Sequence, residues 1–228
     1  MAAQVTIGVT LVFETPPSIA ASGAFGARAD RSVVRDAREE FVIPGSHVKG
    51  KLRHACEQVL RALGAHICES PRAETMCPNP PSSDPPCVAC RIFGNASQPS
   101  PLRFQDLVWK SGLEGQREPF AASLRAMTAI NRRRRTVEPQ RLFLMETAPY
   151  VTKLQFANEK AIVGTLDSEL QVKLVLAGFH LITVWGGMKS RGLGWSSLKG
   201  LEVSATFNGK PVGANNWKEL KELCSATR

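Results

Sequence analysis

The sequence predicts an α+β domain, and three observations carry that prediction. Residues 4–14 and 201–207 alternate apolar and polar side chains with the period of a half-buried strand. Two segments, near residues 46–64 and 168–185, repeat their apolar residues at spacings of three and four, as amphipathic helices do. The two patterns interleave along the chain. The 228 residues, 43% of them hydrophobic, suit a single domain over 1–228 that carries an insertion.

The elements follow in order. Val5, Ile7, Val9, Leu11 and Phe13 share one face of a first strand. A loop rich in Pro, Gly, Ala and Ser runs from Thr15 to Asp36. Phe41-Val-Ile-Pro-Gly-Ser46 is an apolar run closed by a turn, and Ser46 can cap the helix that follows. That helix carries an apolar stripe of Val48, Leu52, Cys56, Val59, Leu60 and Leu63, with Gly64 at its end. Residues 66–103 hold seven prolines between Pro71 and Pro99 and four cysteines, which predicts an insertion without regular structure. Leu102–Trp109 reads as a strand. Beyond it, Leu142, Leu144, Glu146, Ala148, Tyr150, Thr152, Leu154 and Phe156 are expected on one face, and two antiparallel arms over 128–157 make a protruding hairpin. A second helix is expected over Ser168–Trp185, ending at Gly186-Gly187. A strand over Leu201–Phe207 with an Asn208-Gly209 turn and a short helix from Trp217 to Leu223 complete the chain. Strand, helix, strands, helix, strand is the order of a ferredoxin-like fold with insertions.

Composition narrows the function classes. No apolar run approaches 18 residues, which excludes a membrane-spanning helix. The N-terminus lacks a basic segment before its apolar residues, so the expected compartment is the cytoplasm, where cysteines are thiols or metal ligands rather than disulfides. The net charge is +9. Residues 125–141 hold six arginines (Arg125, Arg132, Arg133, Arg134, Arg135 and Arg141) against one acid, Glu138. Such a stripe is the footprint of a polyanion, and arginine offers a planar fork for phosphate and a face for stacking on bases.

Two glycine-centred motifs add to it. In Pro44-Gly-Ser-His-Val-Lys-Gly-Lys-Leu-Arg53, Lys49, Lys51 and Arg53 stand in the first helical turns beside Ser46 and His47. Cations there oppose the helix dipole unless an anion joins them. Gly45, Gly50 and Lys51 fit a phosphate-binding G-x-x-x-x-G-K pattern, but Leu52 stands where the Mg²⁺-binding hydroxyl belongs. In Gly186-Gly-Met-Lys-Ser-Arg-Gly-Leu-Gly194, Lys189, Ser190 and Arg191 sit among four glycines that let a backbone come close to a ligand. The insertion carries Cys68-x8-Cys77-x9-Cys87-x2-Cys90, four thiols that suit a structural zinc ion, with His66 as an alternative to Cys68. Cys56, on the helix stripe, and Cys224, in the tail, are not expected to be ligands.

Four segments in the same order resemble the RAMP superfamily of CRISPR proteins. They are Asp30–Asp36 with Phe41–Arg53, Cys90–Gly94 with Leu102–Asp106, Ile130–Thr136 with Leu142–Glu146, and Gly186–Gly194. More closely, they resemble the repeated backbone subunit of type III effector complexes. The resemblance implies a modified RNA-recognition-motif palm with a thumb hairpin over 128–157. It implies a crRNA bound along a filament of copies of this chain and other effector subunits, and a complementary single-stranded target RNA read by base pairing. The basic residues, Ser46, His47, Lys49, Lys51, Arg53, Arg132, Arg133, Arg134, Arg135, Lys189, Ser190 and Arg191, would then face RNA. Asp30 matches the loop aspartate that active members need to cut the target, with Mg²⁺ or Mn²⁺ held there or the 2′-hydroxyl activated. Ser32 stands where the family often has proline. Asp36 matches a second, structural acid. The alternatives are a scaffold that binds crRNA without cutting, and a stand-alone guide-processing nuclease built on His47.

Overall fold

The computed structural model describes residues 2–20, 29–69, 72, 74–77, 85–110, 122–149, 154–213 and 217–221. Its strands are β1 (Ala3–Phe13), β2 (Val42–Ile43), β3 (Leu102–Phe104), β4 (Leu107–Lys110), β5 (Ser123–Met127), β6 (Ile130–Asn131), β7 (Thr136–Val137), β8 (Phe143–Thr147), β9 (Leu154–Leu166), β10 (Glu202–Phe207) and β11 (Lys210–Pro211). Its helices are α1 (Gly45–Ala62), α2 (Val88–Phe93), α3 (Glu169–Leu181) and α4 (Trp217–Leu220).

The main sheet is antiparallel and runs β11-β10-β1-β9-β4-β2, with β3 also paired to β9. Its centre is β1, whose alternation is realised in full. Val5, Ile7, Val9, Leu11 and Phe13 are buried and join the inner faces of α1 and α3 in one core. The helices approach closely because Gly178 of α3 leaves room for Cys56, whose thiol donates to Leu174 O at 3.5 Å. Burial pushes that thiol's pKa up, as befits a core residue rather than a ligand. Thr10, Asn158, Lys160, Glu202 and Ser204 help line a broad groove of about 1040 Å³ on this sheet. Its charges are mixed, and none of the predicted site residues faces it.

Several local expectations need correction. Helix α1 starts at Gly45, so Ser46 lies inside it and caps nothing. The free Gly45 N–H instead donates to Asp106 Oδ1 at 2.8 Å, a carboxylate supplied from 61 residues away. Helix α3 stops at Leu181, because Ile182-Thr183-Val184 takes up extended backbone and Val184 bridges to Trp195. The insertion is not irregular throughout: it contains α2 and β3. The single strand over Leu102–Trp109 is two, interrupted at Gln105-Asp106 where Asp106 turns to cap α1. The terminal helix covers Trp217–Leu220, and Glu222 and Leu223 lie outside the described residues.

The hairpin differs most. Its arms are Ser123–Asn131 and Thr136–Thr147, with β5 paired to β8 and β6 to β7, while Leu154 and Phe156 belong to the main sheet. On β8 the buried face is the odd one, Met145 (2%) and Thr147 (0%), whereas Leu142 (64%) and Leu144 (37%) are exposed. The even face of this strand is therefore the more exposed one. Tyr150 and Thr152 lie outside the described residues. The choice of face has a tertiary cause. Met145 packs with Met127 and Leu193, so the Gly186–Gly194 loop decides which face is covered.

Candidate nucleic-acid interface and metal centre

The two glycine-centred motifs meet. The Gly186 N–H donates to His47 Nε2 at 3.1 Å, joining the first turn of α1 to the start of the second loop. Burial, with the Lys51 charge second, pushes the His47 pKa down to about 4, so the ring is neutral at pH 7 and free to accept. Trp185 packs beside it, ring centroids 6.2 Å apart. His47 is thus a joint between two backbone segments, with one ring nitrogen already occupied. That geometry does not favour it as the base of a processing nuclease.

The loop itself is held by glycine. Gly186 and Gly194 have φ of +81° and +75°. A Cβ at Gly194 would lie 1.9 Å from Trp185 O, and one at Gly186 2.5 Å from Ser18 O. Lys189–Arg191 forms one 3-10 turn, with all three side chains exposed. Lys51 feels this turn: burial lowers its pKa, and the Lys189 charge lowers it further. Two like charges drawn together from two elements make a surface that an anion stabilises. Ser46 is exposed alongside, and the Lys49 ammonium lies 6.0 Å over the Phe104 ring.

Arg191 extends the surface to the hairpin. Its Nη1 lies 2.9 Å from Met127 Sδ, and its guanidinium lies 6.0 Å over the Phe143 ring. Arg191 and Arg125 line a cleft of about 490 Å³ with Met127 and Thr128. Arg125 belongs to this cleft although sequence patterning marked it only as one of an arginine run. At the hairpin tip Asn131 Oδ1 accepts from the N–H groups of Arg133 and Arg134, both at 3.0 Å. That turn leaves Arg132, Arg133, Arg134 and Arg135 exposed.

Asp30 sits beside the hairpin's base. Its exposed carboxylate accepts a hydrogen bond from the Leu144 N–H through Oδ2 at 2.7 Å, and its own N–H donates to Leu144 O at 2.9 Å. The segment continues along β8: Glu146 N–H donates to Arg31 O, and Val33 N–H to Glu146 Oε2 at 3.1 Å. Glu146 and Asp106 were not singled out as site residues, because their partners lie more than sixty residues away in sequence. Asp36 has the structural role expected of it, its Oδ1 accepting from Arg38 and Glu40 N–H.

Arg53 points away from the other cations. Its Nε donates to Glu57 Oε1 and its Nη1 to Gly94 O, both at 2.9 Å, while Nη2 lies 3.7 Å from Cys90 Sγ. Cys90 belongs to a cluster with Cys68, Cys77 and Cys87 whose sulfurs all lie within 4.8 Å of one another. His66 is exposed and outside it. Sγ separations of 3.5 Å (Cys68–Cys90) and 3.8 Å (Cys68–Cys87) match the edge of about 3.8 Å of a tetrahedron with sulfur 2.3 Å from zinc. The contact between Cys87 and Cys90 holds the first below the usual thiol range and pushes the second up. Four cysteines so placed can bind a metal ion such as zinc. Cys224 lies outside the described residues. Among the described residues no other group of three or more His, Cys, Asp or Glu side chains lies close enough to hold a metal, and no helix is long and apolar enough to cross a membrane.

Fold and site together define a mixed α+β domain with antiparallel sheets, a cationic surface gathered around two glycine motifs, and a four-cysteine cluster. The model of the RAMP superfamily matches residues 10–198, and the chain belongs to that superfamily. Its members bind CRISPR RNA and act in effector complexes, often as RNA-binding proteins or endoribonucleases. No curated protein matches the chain.

Proposed function

We propose that this chain is a backbone subunit of a type III CRISPR effector complex, in which it binds crRNA and cuts complementary target RNA beside its hairpin. The central strand order β10-β1-β9-β4, with α1 and α3 packed into one core, supports a ferredoxin-like palm. The hairpin over residues 123–147 is its thumb. Copies of the chain and other effector subunits line the guide, and target identity is read by base pairing. Zinc held by Cys68, Cys77, Cys87 and Cys90 supplies the folding free energy that the proline-rich insertion lacks.

The observation that carries the reading is the His47–Gly186 hydrogen bond. It sets Lys51 and Lys189 on one surface, and Arg191 continues that surface towards the arginine-tipped hairpin. Phosphates of the guide occupy it, held by Lys51, Lys189 and the exposed hydroxyl residues Ser46 and Ser190 beside them.

For cleavage, Asp30 leaves Oδ1 for chemistry while Oδ2 is bonded to Leu144. A carboxylate oxygen there takes the proton from a target 2′-hydroxyl, whose oxygen attacks the adjacent phosphorus as the bond to the 5′-oxygen breaks, leaving a 2′,3′-cyclic phosphate and a 5′-hydroxyl protonated by water. Among the described residues Asp30 belongs to no group of three or more metal-ligating side chains. That suits Mg²⁺ or Mn²⁺ liganded mainly by RNA phosphate and water, with the cation neutralising phosphate charge.

The Asp30–Leu144 bond also favours a second reading, a non-catalytic scaffold in which Asp30 only anchors the hairpin. Target cleavage by the guide-loaded complex separates the two. Asp30→Asn keeps an acceptor for Leu144 and removes the charge. Regular cuts by wild type that vanish in Asp30→Asn, with guide and target still bound, support the nuclease. No cutting by wild type that binds guide and target leaves the scaffold, and equal cutting by both removes Asp30 as the catalyst and moves the search to His47 or another subunit.

A further inference from the structure

We infer that Arg53 is the charge-balancing outer partner of the four-cysteine metal centre, fastening that centre to the helix that presents Lys49 and Lys51. The inference rests on the zinc reading above. Four thiolates around a divalent cation carry a net charge of about −2. Three of the four cysteines are buried, and a buried charge is costly unless it is paired. Among the described residues, Arg53 brings a cation to the cluster, its Nη2 standing 3.7 Å from Cys90 Sγ.

The geometry fits an arginine. Three guanidinium nitrogens go three ways: to Glu57 on the same helix, to Gly94 O at the end of α2, and to the Cys90 sulfur. A lysine can keep the charge but cannot span all three. Glu57 also lies 3.9 Å from Arg61, so two arginines share one carboxylate and the group keeps a positive charge for the sulfurs. Arg53 has 24% of its side chain exposed, four residues along α1 from Lys49 and two from Lys51. Removing it leaves the thiolate cluster without its nearest donor and α1 without its bond to the end of α2. Arg53 is a positioning residue for the metal and not a phosphate ligand.

The test is zinc affinity of the full chain, read by competition with a chromophoric chelator, together with the sulfur-to-cobalt charge-transfer band after Co²⁺ substitution. Wild type binds one zinc. Arg53→Met weakens binding roughly 10- to 100-fold, the size expected for loss of an outer-sphere partner. Arg53→Lys recovers part of the loss. In both variants the cobalt band moves to lower energy, because a thiolate that loses an N–H donor gives up its electron more readily. Arg61→Met, which removes the second charge beside Glu57, weakens binding far less than Arg53→Met does. Wild-type affinity and an unshifted band in folded Arg53→Met overturn the inference. If that variant does not fold, the same result in Arg53→Lys does so. An equal loss in Arg61→Met also overturns it, since the effect would then be diffuse charge. A wild type that takes up no zinc fails one step earlier and overturns the four-thiolate reading itself.

Discussion

Asp30 and Leu144 exchange two hydrogen bonds. The Leu144 N–H donates to the Asp30 carboxylate at 2.7 Å, and the Asp30 N–H donates to Leu144 O at 2.9 Å. The residue that resemblance marks for chemistry therefore also anchors the hairpin to the loop before α1. Any substitution at Asp30 is read through both roles. Asp30→Asn retains stability to within about 0.5 kcal/mol, whereas Asp30→Ala loses about 1 kcal/mol with the acceptor. Urea unfolding at pH 7 checks the pair, and an equal loss in both contradicts the anchoring role.

The His47 joint makes stability pH-dependent with a defined sign. Its pKa is lowered from 6.5 to about 4 in the folded chain. The unfolded chain binds the extra proton first, so the stabilisation is complete above pH 6.5 and is lost as pH falls through that value towards 4. The loss amounts to roughly 2 kcal/mol once solvent screening is allowed for. Wild type and His47→Gln, compared by urea unfolding at pH 7.5 and 4.5, diverge: the acid-linked loss is smaller in His47→Gln.

Glycine substitutions in the second loop separate space from backbone angle. Gly192 and Gly194 have nearly the same φ, +76° and +75°, but a Cβ at Gly192 meets nothing within 4 Å while one at Gly194 strikes Trp185 O. Gly192→Ala costs about 1 kcal/mol. Gly194→Ala costs more than about 3 kcal/mol or displaces the loop from Trp185, and RNA affinity falls with it. Thermal melts and filter binding measure the two effects.

The arginine tip gives a salt signature. Replacing Arg132, Arg133, Arg134 and Arg135 with alanine flattens the slope of log affinity for single-stranded RNA against log salt by up to about 3. Unfolding stability stays near wild type, since these side chains are exposed. An unchanged slope removes the tip from the RNA surface.

Metal removal acts on the insertion. A strong chelator, or Cys87→Ser, lowers Tm by several degrees and increases proteolysis between Cys68 and Cys90, because a bound metal ties together four cysteines spread over that segment. A chelator-insensitive melt with one zinc removed contradicts that role.

What was legible in the sequence is what local chemistry dictates. The alternation in β1, the stripe of α1, the Asn208-Gly209 turn, the closely spaced cysteines and the arginine tip depend on neighbours a few residues away. Tertiary structure decided the rest. Ser46 had the right chemistry for a cap, but Asp106 supplies the carboxylate because β3 and β4 bring it to the helix start. The even residues of β8 share a face, but a strand's faces are equivalent until something packs on one, and Leu193 with Met127 chose Met145. Arg53 looked like its lysine neighbours, and only the placement of Gly94 and Cys90 gave its fork three partners inside the protein. The sequence alone set which residues could bond. Contacts between residues far apart in the sequence, which no local period encodes, determined which of them did.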